Sequence, residues 1–258
     1  MMQPMRAIGA LARGAAASIA AKRAFSSALG SRPPAWVFLG PPGVGKGTYA
    51  VRAADAFGLA HLAAGDLVRD EIKSKSALGQ EMVKIVNRGD LLPDAMILEV
   101  IQEHFDKAIA KGTKQFLLDG FPRTALQAAE LEGIADVRLA LNLSLREEVL
   151  VEKCMGRRIC THCGKNYNIA DIYLPASDGR PEIVMPPLSA PPECAPHLEQ
   201  RSDDNEETIR RRLDVYHSQA TPVEDFYRNK GILVDFEITG GIPETLPRLK
   251  EVLRPYVV

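Results

Sequence analysis

The segment that most constrains this chain is Gly40-Pro41-Pro42-Gly43-Val44-Gly45-Lys46-Gly47-Thr48. It follows the short apolar run Ala35-Trp36-Val37-Phe38-Leu39 and precedes a helix-forming stretch, 47–57. A glycine-rich turn between a buried strand and a helix lets backbone N–H groups converge on a phosphate. The positive end of the following helix faces the same anion. Lys46 adds a mobile cation for the β and γ phosphates. One departure from the general pattern is visible: Gly47 fills the slot after the lysine, and the hydroxyl comes one residue later, at Thr48.

The rest of the chain alternates in the same way. Runs at 115–119, 139–143 and 231–236 read as further buried strands. Helices are expected at 97–111, with Leu98, Ile101, Phe105 and Ile109 on one face, and at 147–155, 204–230 and 243–253. A pair of helices is expected within 64–87. Strands alternating with helices imply an α/β fold with a parallel sheet covered on both faces. Residues 160–200 break the rhythm. Pro181, Pro186, Pro187, Pro191, Pro192 and Pro196 crowd the second half, so this insert should be turns and short strands.

Composition excludes some classes. Charged residues are 25% and the net charge is -1, so no global field points to nucleic acid or an anionic membrane. No apolar run approaches the ~20 residues of a spanning helix, and a soluble chain is expected. Residues 1–33 differ: Arg6, Arg13, Lys22, Arg23 and Arg32 occur with no acid before Asp55. This alanine- and serine-rich stretch reads as a transit peptide. Arg23-Ala24-Phe25-Ser26-Ser27 resembles a mitochondrial processing site, so the mitochondrion is the expected compartment and the chloroplast the alternative.

Gly-x-Pro-Gly-x-Gly-Lys-Gly-Thr resembles the loop of the adenylate kinase family of nucleoside monophosphate kinases. The resemblance continues in order from Trp36 to the C-terminus. His61-Leu62-Ala63-Ala64-Gly65-Asp66-Leu67-Val68-Arg69 is similar to the family's second segment. It implies that Arg69 grips the AMP phosphate, a task suited to a forked guanidinium. Ala64 replaces the family's usual serine or threonine. Asp90, Leu91 and Leu92 match the turn along the AMP base. Leu117 to Thr124 match the third segment: Asp119 toward magnesium through water; Gly120, Phe121, Pro122 and Arg123 toward AMP; Gln127 toward the adenine edge. An amide there donates and accepts at once.

The resemblance extends through a lid. Arg157 matches an arginine on the transferring phosphate. Lys153 stands where the family often has arginine. Asn166 and Tyr167 match a base-contacting pair, Arg201 the lid exit, Arg212 the helix that follows, and Gly241-Ile242 the backbone beside the ATP base. Gly43 to Thr48 complete the ATP side, with Val44 and Gly45 among them. Arg211 is spaced to pair with Glu207. The implied fold is a P-loop α/β core over 35–258, a five-stranded parallel sheet with flanking helices, interrupted by a helical NMP-binding insert at 63–92 and a lid insert at 157–203. The implied reaction is reversible transfer from Mg-ATP to AMP, giving two ADP, by a monomer. Lys46, Arg123, Arg157, Arg201, Arg212 and Mg2+ would surround the transferring group. A GTP:AMP kinase, a UMP/CMP kinase and a non-catalytic nucleotide sensor are the alternatives.

The cysteines pose a separate question. Cys160 and Cys163 open the lid, and Cys194 and His197 come near its end. Two close Cys/His pairs are the grammar of a structural zinc site, and some lids in the family carry zinc. The pairs stand farther apart than the ~15–20 residues common in zinc ribbons. Reduced cysteines are therefore the preferred reading, with Zn2+ the alternative. Cys154 is expected on a packed helix surface.

Overall fold

The computed structural model describes residues 32–257. The transit-peptide reading of 1–33 falls almost wholly outside the described residues. The core elements in chain order are β1 (Pro34–Leu39), α1 (Lys46–Phe57), β2 (Ala60–Ala63), α2 (Ala64–Lys73), α3 (Ala77–Val86), α4 (Asp94–Ala110), β3 (Phe116–Asp119), α5 (Ala125–Leu131) and β4 (Asp136–Ser144). Then come α6 (Leu150–Met155), the lid strands β5 (Arg157–Cys160), β6 (Asn166–Asn168), β7 (Ile172–Leu174), β8 (Ile183–Met185) and β9 (Leu198–Glu199), and finally α7 (Glu206–Asn229), β10 (Leu233–Glu237) and α8 (Ile242–Leu253).

Five strands form one parallel sheet in the order β10-β4-β1-β3-β2. Successive side chains of a strand point to opposite faces, so an unbroken apolar run feeds two cores. In β1, Trp36 and Phe38 join Leu117, Leu139 and Leu141 on one face. Ala35, Val37 and Leu39 join Phe116, Leu118 and Ala140 on the other, against Ile101 and Phe105 of α4 and Tyr227 of α7. Strand β2 carries no such signal. It has four half-buried residues at the sheet edge, one of them His61.

Helices α2 and α3 are the expected pair within 64–87. Ser76 caps α3, its side chain accepting from Gly79 N at 2.9 Å. The lid folds as short antiparallel ribbons, β6-β5-β9 and β7-β8, as its proline content predicts. Ile172, Ile183 and Met185 anchor it in the first core cluster. Arg146 ties down its far end by donating to Pro175 O at 3.1 Å and Ser177 Oγ at 2.8 Å.

Two local expectations are corrected. Ile109 lies in the last turn of α4 and is 44% exposed, whereas Leu98, Ile101 and Phe105 of the same face are buried. Arg211 pairs across space with Asp90, its Nε donating at 2.8 Å, while Glu206 and Arg210 form the i,i+4 pair in the first turns of α7. Cys154 lies on a packed face of α6, as expected, and the glycine loop covers it: a Cβ placed on Gly43 would stand 2.9 Å from its sulfur. No helix among the described residues is long and apolar enough to cross a membrane.

Candidate active site

The chain leaves β1 for β2 at the sheet edge beyond β3, returns to β3, and then crosses to β4 on the opposite side of β1. The carboxyl ends of β1 and β3 therefore flank a switch point, where open α/β sheets form their ligand crevice. The glycine loop follows β1 and Asp119 ends β3, with Phe38 in register with Asp119. A cleft of about 830 Å³ opens there, between the core, the α2–α3 insert and the lid.

The loop adopts the backbone its glycines permit. Gly40, Gly43 and Gly45 have φ of 132°, 85° and 105°. Lys46 folds back over it, Nζ donating to Gly40 O at 2.6 Å and Pro41 O at 2.9 Å. Burial pulls its pKa down to about 8 against the attraction of Asp119, and Arg123 and Arg212 add repulsion. The glycine after the lysine has a steric reason: a Cβ on Gly47 would lie 3.1 Å from Asp119 Oδ2.

Five arginines ring the same space. Arg157 donates to Asp204 through Nε at 2.8 Å and again through Nη2. These bonds hold its guanidinium above its usual pKa despite burial. Arg212 Nη1 donates to Asp203 Oδ2 at 2.7 Å. Burial would raise the Asp203 carboxyl, but Arg212, with Arg157, Arg69 and Arg201, holds it low. Arg201 donates to Asn166 Oδ1 at 2.8 Å and stands 4.0 Å from Asp66, which Arg69 also engages. Desolvation, then Arg157 and Arg69, lower Arg201 to about 10. Arg123 donates from Nε to Gly120 O at 2.7 Å. Its pKa is lowered too, by loss of surrounding water in the depth of the cleft and by Arg212. Cations this crowded are a standing site for a multiply charged anion.

On the α2–α3 side, Gln127 is buried and fixed at both ends. Its Oε1 accepts from Arg123 N at 2.7 Å and its Nε2 donates to Asp94 Oδ1 at 2.7 Å. One donor and one acceptor of the amide remain for a ligand. Asp94 also accepts from Thr124 Oγ1 at 3.0 Å, the hydroxyl that caps α5.

The cleft wall gathers nearly all the residues singled out from sequence. Gly43, Gly45, Gly47 and Thr48 lie beside Lys46; Asn166, Tyr167 and Ile242 lie on the lid side; Ala64, Asp90, Leu91, Leu92, Gly120, Phe121 and Pro122 lie opposite, with Arg69 and Gln127. Val44 departs from this, because its side chain packs in the core. Lys153 lines the cleft with Nζ 3.5 Å from Met185 Sδ, and burial lowers its pKa to about 8. His61, Asp66 and Asp203 are cleft residues to which the sequence assigned no role. His61 Nε2 is buried without a hydrogen bond and stands 3.8 Å from Asp119 Oδ2. Asp66 three residues before Arg69 and Asp203 two residues after Arg201 were the available signal for the two aspartates.

In the lid, the sulfurs of Cys160, Cys163 and Cys194 lie within 4.8 Å of one another. His197 is not in this group; its ring stacks on His162 at 5.6 Å instead. Of the four donors named for the zinc alternative, three sulfurs lie together among the described residues.

The lowered pKa of Lys46 makes phosphate binding depend on pH. Protonated Lys46 is the form that attracts phosphate, and it is lost as pH rises through about 8. The Kd for ATP is expected to rise about tenfold per pH unit above that point. Lys46→Arg should move this limb upward, because arginine keeps its charge. Calorimetric titration from pH 7 to 10 reads it; a flat profile would overturn the assignment.

Comparison with known proteins agrees with this geometry. Residues 38–232 match the family model described as adenylate kinase. The chain is 48% identical to "Probable adenylate kinase 1, chloroplastic" of Oryza sativa subsp. japonica over 91% of this chain and 80% of that one. It is 49% identical to "Adenylate kinase 1, chloroplastic" of Arabidopsis thaliana, over 85% and 77% of the two chains. With an adenylate kinase of Solanum tuberosum it shares 50% over 84% and 76%. The chain belongs to the adenylate kinase family, phosphotransferases that pass a phosphoryl group reversibly between ATP and AMP.

Proposed function

We propose that the phosphoryl group crosses this one cleft by direct attack of the AMP phosphate on the γ-phosphorus of ATP. The supporting observation is the ring of Lys46, Arg69, Arg123, Arg157, Arg201 and Arg212 around a single space between two inserts. No nucleophilic side chain is needed for this chemistry; positioning and charge neutralisation suffice. Gly43 to Thr48 and Lys46 hold the donor phosphates. Asn166, Tyr167, Arg157 and the backbone at Ile242 hold the donor from the lid side. Arg69 and Arg123 take the AMP phosphate, and Gln127 reads the adenine edge with its remaining donor and acceptor. The turn Asp90-Leu91-Leu92 lies along the AMP base, and Arg201 and Arg212 bridge the two nucleotides. Burial of the cations makes each worth more than in water. Lid closure excludes water, the competing acceptor.

Asp119 suits a magnesium ion bound through water, since its carboxylate ends β3 beside Gly47 and lines the same cleft as Thr48. When bound, that ion supplies charge neutralisation across the donor phosphates. The three lid sulfurs fall one donor short of a structural zinc set. We assign the lid's cohesion to its hydrogen-bonded ribbons and to Ile172, Ile183 and Met185 rather than to a metal.

We place the enzyme in the plastid rather than the mitochondrion. The support is the basic, acid-free leader together with two relatives that are chloroplastic by name. A fusion of residues 1–33 to a fluorescent protein should enter chlorophyll-bearing organelles; entry into mitochondria would reverse the choice. The enzyme should act as a monomer.

The functional test is initial-rate transfer from Mg-ATP to AMP, CMP, UMP and GMP, repeated with Mg-GTP. We expect AMP with ATP to exceed any other pair by at least about tenfold in kcat/KM, a difference of about 1.4 kcal/mol. Ala64, buried at the acceptor side, offers no hydroxyl to the base, so that margin rests on Gln127. A preference for GTP or a pyrimidine acceptor would move the substrate. No transfer with any pair would reduce the chain to a nucleotide binder.

A further inference from the structure

The lid sulfurs differ from one another in a way that suggests chemistry. Cys160 is fully buried on β5, where its N–H donates to Lys165 O at 3.0 Å and its carbonyl accepts from Gly164 N at 2.8 Å. Cys194 is also buried, at the start of the 195–197 turn. Cys163 is exposed, on the tip of the β5–β6 turn, and lines the cleft. Its sulfur lies 3.5 Å from that of Cys194. One accessible sulfur therefore touches one covered sulfur from the far end of the same insert. Among the described residues, no fourth Cys, His, Asp or Glu donor joins them to complete a metal set.

We propose that Cys163 is a modification site for small disulfides of the glutathione type, and that Cys194 resolves the adduct into a Cys163–Cys194 bond. In the first step the Cys163 thiolate attacks one sulfur of the small disulfide. A Cys163 mixed disulfide forms and one small thiol leaves. In the second, the Cys194 thiolate attacks the Cys163 sulfur, displacing the second small thiol. The protein loses two thiol hydrogens and two electrons, and the small disulfide becomes two thiols. The sulfurs close from 3.5 Å to about 2.05 Å. The bond ties the β5–β6 turn to residues 191–197, two segments separated by the whole β7–β8 ribbon. Cys194 is the resolving partner because its sulfur already lies 3.5 Å from the exposed one and it comes from the far end of the insert, whereas Cys160 belongs to the same turn as Cys163. Cys160 is held in its strand by the turn's own hydrogen bonds.

The test uses the full chain, with bound metal measured first, incubated with oxidised glutathione and digested without reductant. The expected map shows a Cys163–Cys194 cross-linked peptide and no retained glutathione. Cys194→Ser should keep glutathione on Cys163, and Cys163→Ser should neither take it up nor cross-link. Should Cys194→Ser fail to fold, the exposed-site variant Cys163→Ser and the native map decide. A stable glutathione adduct on native Cys163, a Cys160–Cys163 linkage, no reaction, or one equivalent of metal shielding the thiols would each overturn the proposal.

Discussion

Arg123→Ala is expected to lower kcat by about 10³-fold, a loss of about 4 kcal/mol in transition-state stabilisation. The side chain stands in the cleft with its Nε on Gly120 O, and its backbone N–H is held by Gln127. Its guanidinium thus bonds a carbonyl rather than a carboxylate, and truncation leaves no buried acid unpaired. Loss of surrounding water in the depth of the cleft and the neighbouring Arg212 both disfavour its charge, so an incoming phosphoryl group relieves a repulsion already present in the fold. That relief grows as charge gathers on the equatorial oxygens, which is why kcat should fall more than KM rises. Stability should scarcely change, because the side chain is exposed to the cleft and leaves no cavity. Steady-state kinetics with a thermal scan on the same sample separates these effects. Arg123→Lys should recover little, since an ammonium cannot fork onto two oxygens. Near-normal turnover in the alanine variant would remove Arg123 from the reaction.

The contrast between Arg123 and its neighbours marks the limit of what the sequence could tell. The loop, its lysine and the strand ahead of it were legible, because spacing and an unbroken apolar run have few other solutions. So were β3 and β4, whose runs feed both core clusters. Strand β2 was not. Four half-buried residues at an edge, with His61 among them, carry neither alternation nor an apolar run. The pairing of acids with arginines was not legible either. Asp203 and Asp204 are adjacent in sequence, yet one bonds Arg212 on α7 and the other Arg157 on β5. Only the path of the chain out of the lid decides which faces which. The same holds for Cys154: helical spacing cannot foresee that the glycine loop passes directly over its sulfur. His197 illustrates the converse. Its spacing from Cys194 suited a ligand, but the intervening turn carries its ring to His162.

Gly40→Ala is expected to destabilise the fold by at least about 3 kcal/mol, combining backbone strain with overpacking. For a chain of this size that corresponds to a Tm lower by roughly 6–12 °C. The residue has φ of 132°, a region that side chains rarely adopt. A Cβ there would lie 2.3 Å from Leu143 O and 3.2 Å from Val44 Cγ1. The first of these is backbone of β4, the sheet neighbour of β1, so it cannot swing aside as a side-chain tip would. Gly58→Ala supplies the control. Its φ of 70° is also left-handed, but nothing lies within 4 Å of the added carbon. It should cost only about 1–2 kcal/mol from the backbone alone. If the two variants melt together, the approach of β4 is not what demands glycine at position 40. If they differ as expected, the first glycine of the phosphate loop is fixed by sheet packing before any phosphate is bound. The loop's anion-binding shape would then follow from the β1–β4 register, and a substitution that strains one must disturb the other.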